Sequence, residues 1–349
     1  MAFEIDGTYI GQNYNPYIIA EMSGNHNQSF EQAKAIIEAA KICGVNAIKL
    51  QLYKPETITL NCKNDDFLID NSDSLWNKNY LYELYEKAHT KWEWVDEIFK
   101  ISAELGISCF SSVFDESAID FLEDRNIVAY KIASFENNHI PLIRKVASTK
   151  KPLIISTGCA SLEEIKEAVE NAREAGCTQL AILKCTSDYP ADITDTNLAN
   201  IPFLRETFKC EVGLSDHTLG VSVALGSIGY GVSLIEKHFT TTRDIKGIDS
   251  EFSADMDEMK FIVEQTRNIW KAKGNVNFEL SKSEKKNRQF KRSIYVAKDI
   301  KRGESFSKLN IKIIRPGYSI HPRYYDELLA KKSTKDYNFG DRLDKRELK

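Results

Sequence analysis

Two short stretches carry the residues best suited to chemistry. "VGLSDHT" (212–218) begins apolar at Val212 and Leu214 and turns polar at Ser215, Asp216 and His217. "LIEKHFT" (234–240) repeats the pattern, with Leu234 and Ile235 followed by Glu236, Lys237 and His238. Side chains alternate along a strand, so Ser215 shares a face with His217, and Glu236 with His238. Adjacent strands lie about 4.8 Å apart, so histidines at matched depth on two of them can share one divalent ion. An ion with open positions polarises a carbonyl as a Lewis acid. A lone histidine in an apolar setting is more often a satisfied core residue; the matched pair is what argues for a ligand site.

Lysines interrupt three other apolar runs: Lys49 in "NAIKLQ" (46–51), Lys131 in "AYKIAS" (129–134) and Lys184 in "LAILKCT" (180–186). A buried lysine is costly unless it is paired or faces an anion. An internal salt bridge is the bland reading of each. Hydroxyls and amides end most of the remaining runs: Gln51, Ser111, Ser112, Ser134, Ser156, Thr157, Thr186, Ser187 and Ser215. Glu21 ends "YIIAE" (17–21) and is a candidate for handling a proton or steadying a cation, with a salt bridge to a lysine as its alternative. Together these groups describe a cationic, donor-rich bowl fitted to a small phosphorylated carboxylate.

The elements that must position them follow from periodicity. Strand-like runs fall at 17–21, 46–51, 107–112, 129–134, 152–157, 180–186, 211–215 and 234–239, with amphipathic helical stretches between them. "SLEEIKEAVENAREAG" (161–176) opens on a Ser161/Glu164 capping box and stops at Gly176. "SFEQAKAIIEAAKICG" (29–44) and "MDEMKFIVEQTRNIWKAKG" (256–274) read as helices in the same way. Eight strand–helix units predict a (β/α)8 TIM barrel, whose site lies at the C-terminal strand ends. A doubly wound sheet is the competitor, but no G-x-G-x-x-G follows the first strand. Residues 52–91 are too long for a plain strand–helix loop; within them "SLWNKNYLYELYEKAHT" (74–90) is expected to be helical and to serve as a lid or interface.

The composition changes after residue 275. Residues 276–291 read as a polar, basic linker, and 292–349 as a small β-rich module. "KDIKRGESFSKLNI" (298–311) aligns with "KDYNFGDRLDKREL" (335–348), which implies two similar units related by pseudo-symmetry. A module this small is marginal alone and needs a docking surface.

Bulk properties exclude several classes. The 349 residues carry a formal net charge of −4, which argues against wrapping nucleic acid. The N-terminus has no signal-peptide grammar, and no apolar run approaches a membrane span. The seven cysteines are scattered and form no C-x-x-C, which fits reduced core thiols and a cytoplasmic location.

"IAEMSGNHNQS" (19–29), "IKLQ" (48–51), "YKIASFE" (130–136), "ISTG" (155–158), "KCTSDYP" (184–190), "GLSDHT" (213–218) and "EKHFT" (236–240) resemble the sialic acid synthase family. "RSIYVAKDIKRGE" (292–304) and "IRPG" (314–317) resemble its C-terminal antifreeze-like (SAF) domain. "EMSGNHNQS" and "KIASFEN" look like the branch whose product is pseudaminic acid. The resemblance implies that phosphoenolpyruvate condenses with open-chain 2,4-diacetamido-2,4,6-trideoxy-altrose and water, releasing phosphate. It also implies that Lys49, Ser112, Lys131, Ser134, Ser156, Ser187 and Ser215 hold phosphoenolpyruvate, and that Lys184, Asn25 and Gln51 bind substrate. Ser112–Val113 stands where many relatives have Thr-Pro, and Ser187 where sialic acid synthases have Asn. His217 and His238 would bind the metal, manganese first, with magnesium or cobalt as alternatives. Glu21, His238, Asp249 and Tyr189 would be catalytic, the last two lining the sugar side. Arg315 would reach the sugar from the tail of a second subunit in a swapped homodimer, and the product would decorate flagellin or a surface polysaccharide. Rival readings are a Schiff-base aldolase on Lys184, a non-catalytic carbohydrate- or ice-binding protein, and the same chemistry on N-acetylmannosamine or a legionaminic acid precursor.

Overall fold

Eight short strands pair in parallel and close on themselves: β1 (Tyr17–Glu21), β2 (Ala47–Leu52), β3 (Ser108–Val113), β4 (Tyr130–Ile132), β5 (Leu153–Ser156), β6 (Leu180–Cys185), β7 (Glu211–Asp216) and β8 (Leu234–His238), with β8 bonded to both β7 and β1. The computed structural model describes residues 2–72 and 74–349, and the chain divides after Gly274 into two units. The first is the expected TIM barrel. Its strands are buried on both faces because helices cover the outside and side chains fill the inside. Ile48, Leu50, Ile132, Ile182 and Val212 are fully buried. Each such side chain contributes roughly 1.5–3 kcal/mol of burial free energy.

The helices begin and end where their sequences say they should. Phe30–Cys43 starts at Ser29, whose hydroxyl accepts the Gln32 N–H, and ends at Gly44 with φ +80°. Leu162–Glu174 opens on the Ser161/Glu164 capping box. Met256–Lys273 opens on a second box, Asp255/Glu258. A hairpin, Phe3–Ile5 with Thr8–Ile10, precedes the barrel. Its Asp6 accepts a hydrogen bond from Ser108 Oγ (2.8 Å) at the start of β3, on the end of the barrel remote from the polar strand ends.

The insertion between β2 and β3 is less helical than expected. Within 74–90, Leu81–Ala88 is the helical part. Residues 74–80 turn instead, because asparagine side chains capture the backbone: Asn77 Oδ1 accepts the Asn71 N–H, and Asn79 Nδ2 donates to the Trp76 carbonyl. Lys78 sits at φ +62°. No helix among the described residues is long and apolar enough to cross a membrane.

The second unit, residues 275–349, has its own core of Ile294, Val296, Ile300, Phe306, Ile311 and neighbours. Strands β9 (Ser293–Val296) and β10 (Ile311–Ile314) pair antiparallel. Within the segment read as a linker, Lys282–Asn287 forms a short helix on a Ser281/Glu284 capping box. The internal repeat is structural. Ile300 and Tyr337, which are equivalent in the repeat, exchange both backbone hydrogen bonds (2.9 and 2.8 Å). Asp299 accepts from the Phe339 N–H and Asp336 from the Arg302 N–H, each at 2.7 Å, as a two-fold relation requires.

Candidate active site

Residues in register across parallel strands point to the same side. The register aligns His238 with Glu21 and Glu21 with Lys49. It aligns Gln51 with Ser112 and Ser112 with Lys131. It also aligns Cys185 with Ser215 and Ser215 with Glu236. These residues therefore converge inside the barrel. Lys184 falls on the other parity, beside Leu214; its Nζ folds onto the Cys185 carbonyl (2.9 Å) and Thr186 Oγ1 (3.2 Å). The strand directs it away from the lumen that a lysine contacting phosphoenolpyruvate, or a Schiff-base lysine, would have to face.

At the centre two lysines meet two carboxylates. Lys49 Nζ pairs with Glu21 Oε2, lies 3.7 Å from Glu236 Oε1 and donates to Ser112 Oγ (2.9 Å). Lys131 Nζ lies 3.3 Å from the same Glu236 oxygen, which also accepts from Ser215 Oγ (3.1 Å). The bowl is thus charge-matched rather than simply cationic, because unpaired buried ammoniums would be too costly. Burial, aided by the Glu236 charge and opposed by Lys49, pushes Glu21 up to about 7. Burial works the same way on Glu236, but Lys131 and Lys49 outweigh it and hold that carboxylate low. Burial lowers Lys131 against the pull of Glu236; for Lys49 the two glutamates win over burial and the net shift is upward.

Hydroxyls gather beside this cluster. Ser134 Oγ and Ser187 Oγ lie 3.4 and 3.5 Å from Cys185 Sγ. Gly158 fits against both: a Cβ there would stand 2.0 Å from Ser187 Oγ and 2.6 Å from Ser134 Oγ. Asn137 Nδ2 holds the Gly158 carbonyl at 3.0 Å. Ser156 Oγ is buried with no partner among the described residues. Donors that converge without a partner suit an anion.

The two histidines stand with ring centroids 5.3 Å apart. His217 Nδ1 lies 2.9 Å from the Thr186 carbonyl, to which it donates, and 3.8 Å from Cys185 Sγ; burial opposes the charged ring, but Cys185 outweighs burial and the net shift is upward. His238 Nδ1 is buried without a partner among the described residues. Burial, then the neighbouring His217, keeps His238 well below the usual imidazole range and therefore neutral, as a ligand must be. His217, once deprotonated at Nε2, and His238 are the side chains that would hold a divalent ion here. Among the described residues no cluster of three or more His, Cys, Asp or Glu side chains forms a complete metal cage.

On the rim, Asp249 Oδ2 accepts from Ser23 Oγ and from the Gly24 N–H (3.3 Å). Burial raises it above its ordinary range, with the Ser23 hydrogen bond pulling the other way. Tyr189 stacks 4.4 Å from His217, and Gln51 Nε2 reaches Ser23 Oγ at 3.4 Å. Asn25 ties loops together through Phe239 O (3.0 Å) and Ser253 Oγ (2.9 Å), leaving its buried Oδ1 unpartnered among the described residues. Arg315 belongs to the second unit, where it is exposed just beyond β10. Glu236, readable in sequence as the same-face partner of His238, joins the site. Sequence reasoning passed over two further contributors. Cys185 read as a small core residue, and Gly158 was visible only as part of "ISTG".

The comparisons with known proteins identify the family and the fold. Residues 36–278 match the NeuB family and residues 291–338 the SAF domain. Pseudaminic acid synthase of Campylobacter jejuni subsp. jejuni serotype O:2 is 46% identical over 94% of this chain and 95% of its own. Pseudaminic acid synthase of Helicobacter pylori is 41% identical over 92% of this chain and 94% of its own. The crystal structure of N-acetylneuraminic acid synthetase from Leptospira borgpetersenii superposes with a TM-score of 0.74 at 28% identity, covering 82% of this chain and 95% of that one. The chain is an enzyme of transferase type, and a barrel with its charges gathered at the strand ends, followed by a SAF domain, is what membership of the NeuB family entails: the chain belongs to it.

Proposed function

We propose that the chain is a pseudaminic acid synthase, condensing phosphoenolpyruvate with 2,4-diacetamido-2,4,6-trideoxy-altrose and water to give pseudaminic acid and phosphate. The observation that carries this reading is the lumenal Lys49–Glu236–Lys131 cluster beside a cradle of serine hydroxyls and a pair of adjacent histidines. The identity to relatives named for this activity supports the choice of sugar.

Lys49 and Lys131 neutralise phosphoenolpyruvate, with Ser112, Ser134, Ser156, Ser187 and Ser215 donating to its oxygens. His217 and His238 would hold the divalent ion, manganese in our reading with magnesium or cobalt as alternatives, and when bound it supplies Lewis-acid polarisation of the sugar aldehyde. C3 of phosphoenolpyruvate then attacks the aldehyde carbon, and C2 becomes cationic near Glu21 and Glu236. Water adds to C2 and gives one proton to Glu21, which returns it to the alkoxide oxygen formed at the former aldehyde carbon; the C2–O bond to phosphate then breaks, phosphate leaving with the electron pair and with the C2 hydroxyl proton as the ketone forms. A carboxyl poised at about 7 can both accept and return that proton near neutrality. Asp249, Tyr189, Gln51 and Asn25 line the sugar side.

We further propose a swapped homodimer in which Arg315 of a second copy reaches the sugar, residues 276–291 acting as the linker between the barrel and the 292–349 module. The seven free cysteines suit a cytoplasmic reaction. Glycosylation of flagellin or a surface polysaccharide is the use we assign to the product. The test is phosphate release with manganese, with and without chelator, offered either the altrose or N-acetylmannosamine. Release with the altrose alone, abolished by chelator, supports the proposal. Release with N-acetylmannosamine alone moves the protein to another sugar.

A further inference from the structure

A cavity of about 370 Å³ opens within the first unit beside the groups just described. Part of its lining is polar and belongs to the site: Ser23, Gln51, His238 and Asp249. The insertion between β2 and β3 contributes a different kind of surface through Trp76, Leu81, Leu84 and Tyr85. Leu81, Leu84 and Tyr85 hold the i, i+3, i+4 spacing of one helix face. The surface is braced. Trp76 uses its only donor on the Ile248 carbonyl (3.1 Å), and its ring stands 5.4 Å from Tyr189. Tyr85 packs edge-on against Tyr53 at 5.7 Å, and Tyr53 against Phe114 at 4.8 Å. A preformed apolar wall facing polar and metal-binding groups suits a ligand that is itself two-sided.

We infer that this wall, Leu81 and Leu84 above all, sets sugar specificity by taking the methyl group at C6 of the acceptor and rejecting a hydroxyl there. The inference rests on the reading of the acceptor as a 2,4,6-trideoxy aldose. Such a sugar presents an aldehyde and hydroxyls along one edge and methyl groups elsewhere. A methyl against Leu84 gains by leaving water. A hydroxyl in the same place loses its water and finds no partner on the leucines. Discrimination by one group in an apolar pocket is worth about 10- to 100-fold in kcat/KM.

The experiment compares kcat/KM for 2,4-diacetamido-2,4,6-trideoxy-altrose with that for its 6-hydroxy counterpart. The wild-type chain is expected to prefer the deoxy sugar by about 10- to 100-fold. Leu84→Asn, and independently Leu81→Gln, should narrow the preference to about threefold or less while the KM for phosphoenolpyruvate stays put. Leu84→Met should keep the preference. An unchanged ratio in the polar variants, or an equal loss on both sugars, overturns the inference. A wild-type chain that uses both altrose sugars equally overturns it while leaving the proposed function intact. A wild-type chain that uses only N-acetylmannosamine removes the acceptor assignment, and this inference with it.

Discussion

Lys131 and Glu236 stand on strands β4 and β8, opposite one another around the barrel, and their side chains meet across it with Nζ 3.3 Å from Oε1. Lys49 reaches the same oxygen at 3.7 Å, so one carboxylate balances two ammoniums in a lumen sealed from water. Removing Glu236 leaves the two buried ammoniums without the carboxylate they share. Breaking a buried charge group in this way costs about 3–5 kcal/mol. Glu236→Gln should therefore lower the melting temperature by several degrees. Phosphoenolpyruvate should restore more in this variant than in the wild type, since its charge replaces the missing one. Thermal melts with and without the ligand decide it; equal ligand shifts in the two proteins would reject the charge-matching account. Lys131→Met should raise the KM for phosphoenolpyruvate by at least about tenfold, the loss of one charge-assisted contact.

Gly158 leaves room for two serine hydroxyls that a methyl group would occupy. Gly158→Ala should push Ser134 and Ser187 aside and raise the KM for phosphoenolpyruvate, with a melting temperature within a few degrees of wild type. Steady-state kinetics at saturating sugar tests this. A wild-type KM in the folded variant would mean that these hydroxyls do not touch the anion.

Glu21 titrates near 7, so its acid form dominates below that value and its base form above it. If Glu21 accepts the proton of water, kcat/KM must rise with pH through about 7, because only the ionised form is competent. Glu21→Gln should abolish that limb as well as most of the rate, by about 10²–10⁴-fold. The pH profile of the residual activity separates this role from a structural one. An acidic limb that persists in the variant belongs to another group.

His238 is held as a neutral donor by burial, and His217 is oriented by its contact with the Thr186 carbonyl. His238→Ala should lower bound manganese, measured by metal analysis after gel filtration, and lose most turnover. Chelation of the wild type should do the same and be reversed by added manganese. Full metal content in the variant would place the ion elsewhere.

Much of this was legible before any coordinates. The period-2 runs, the capping box at Ser161 and the polar residue ending each strand determine a barrel with its chemistry at one end, because side-chain alternation and helix capping are local physics. The repeat at 298–311 and 335–348 likewise determines which groups must pair, as Ile300 and Tyr337 do. What only the tertiary structure decided is which charges meet. Glu236 touches Lys131 across the lumen from a strand more than a hundred residues away, and barrel closure, not spacing, brings them together. Parity decided Lys184, whose strand turns it outward although its neighbours in sequence suggested otherwise. Asparagine-to-backbone bonds shortened the helix of the insertion to Leu81–Ala88, and the placement of that helix made four scattered apolar residues into one wall. Sequence reports what each residue prefers by itself; distances between residues far apart in the chain exist only once the barrel has closed.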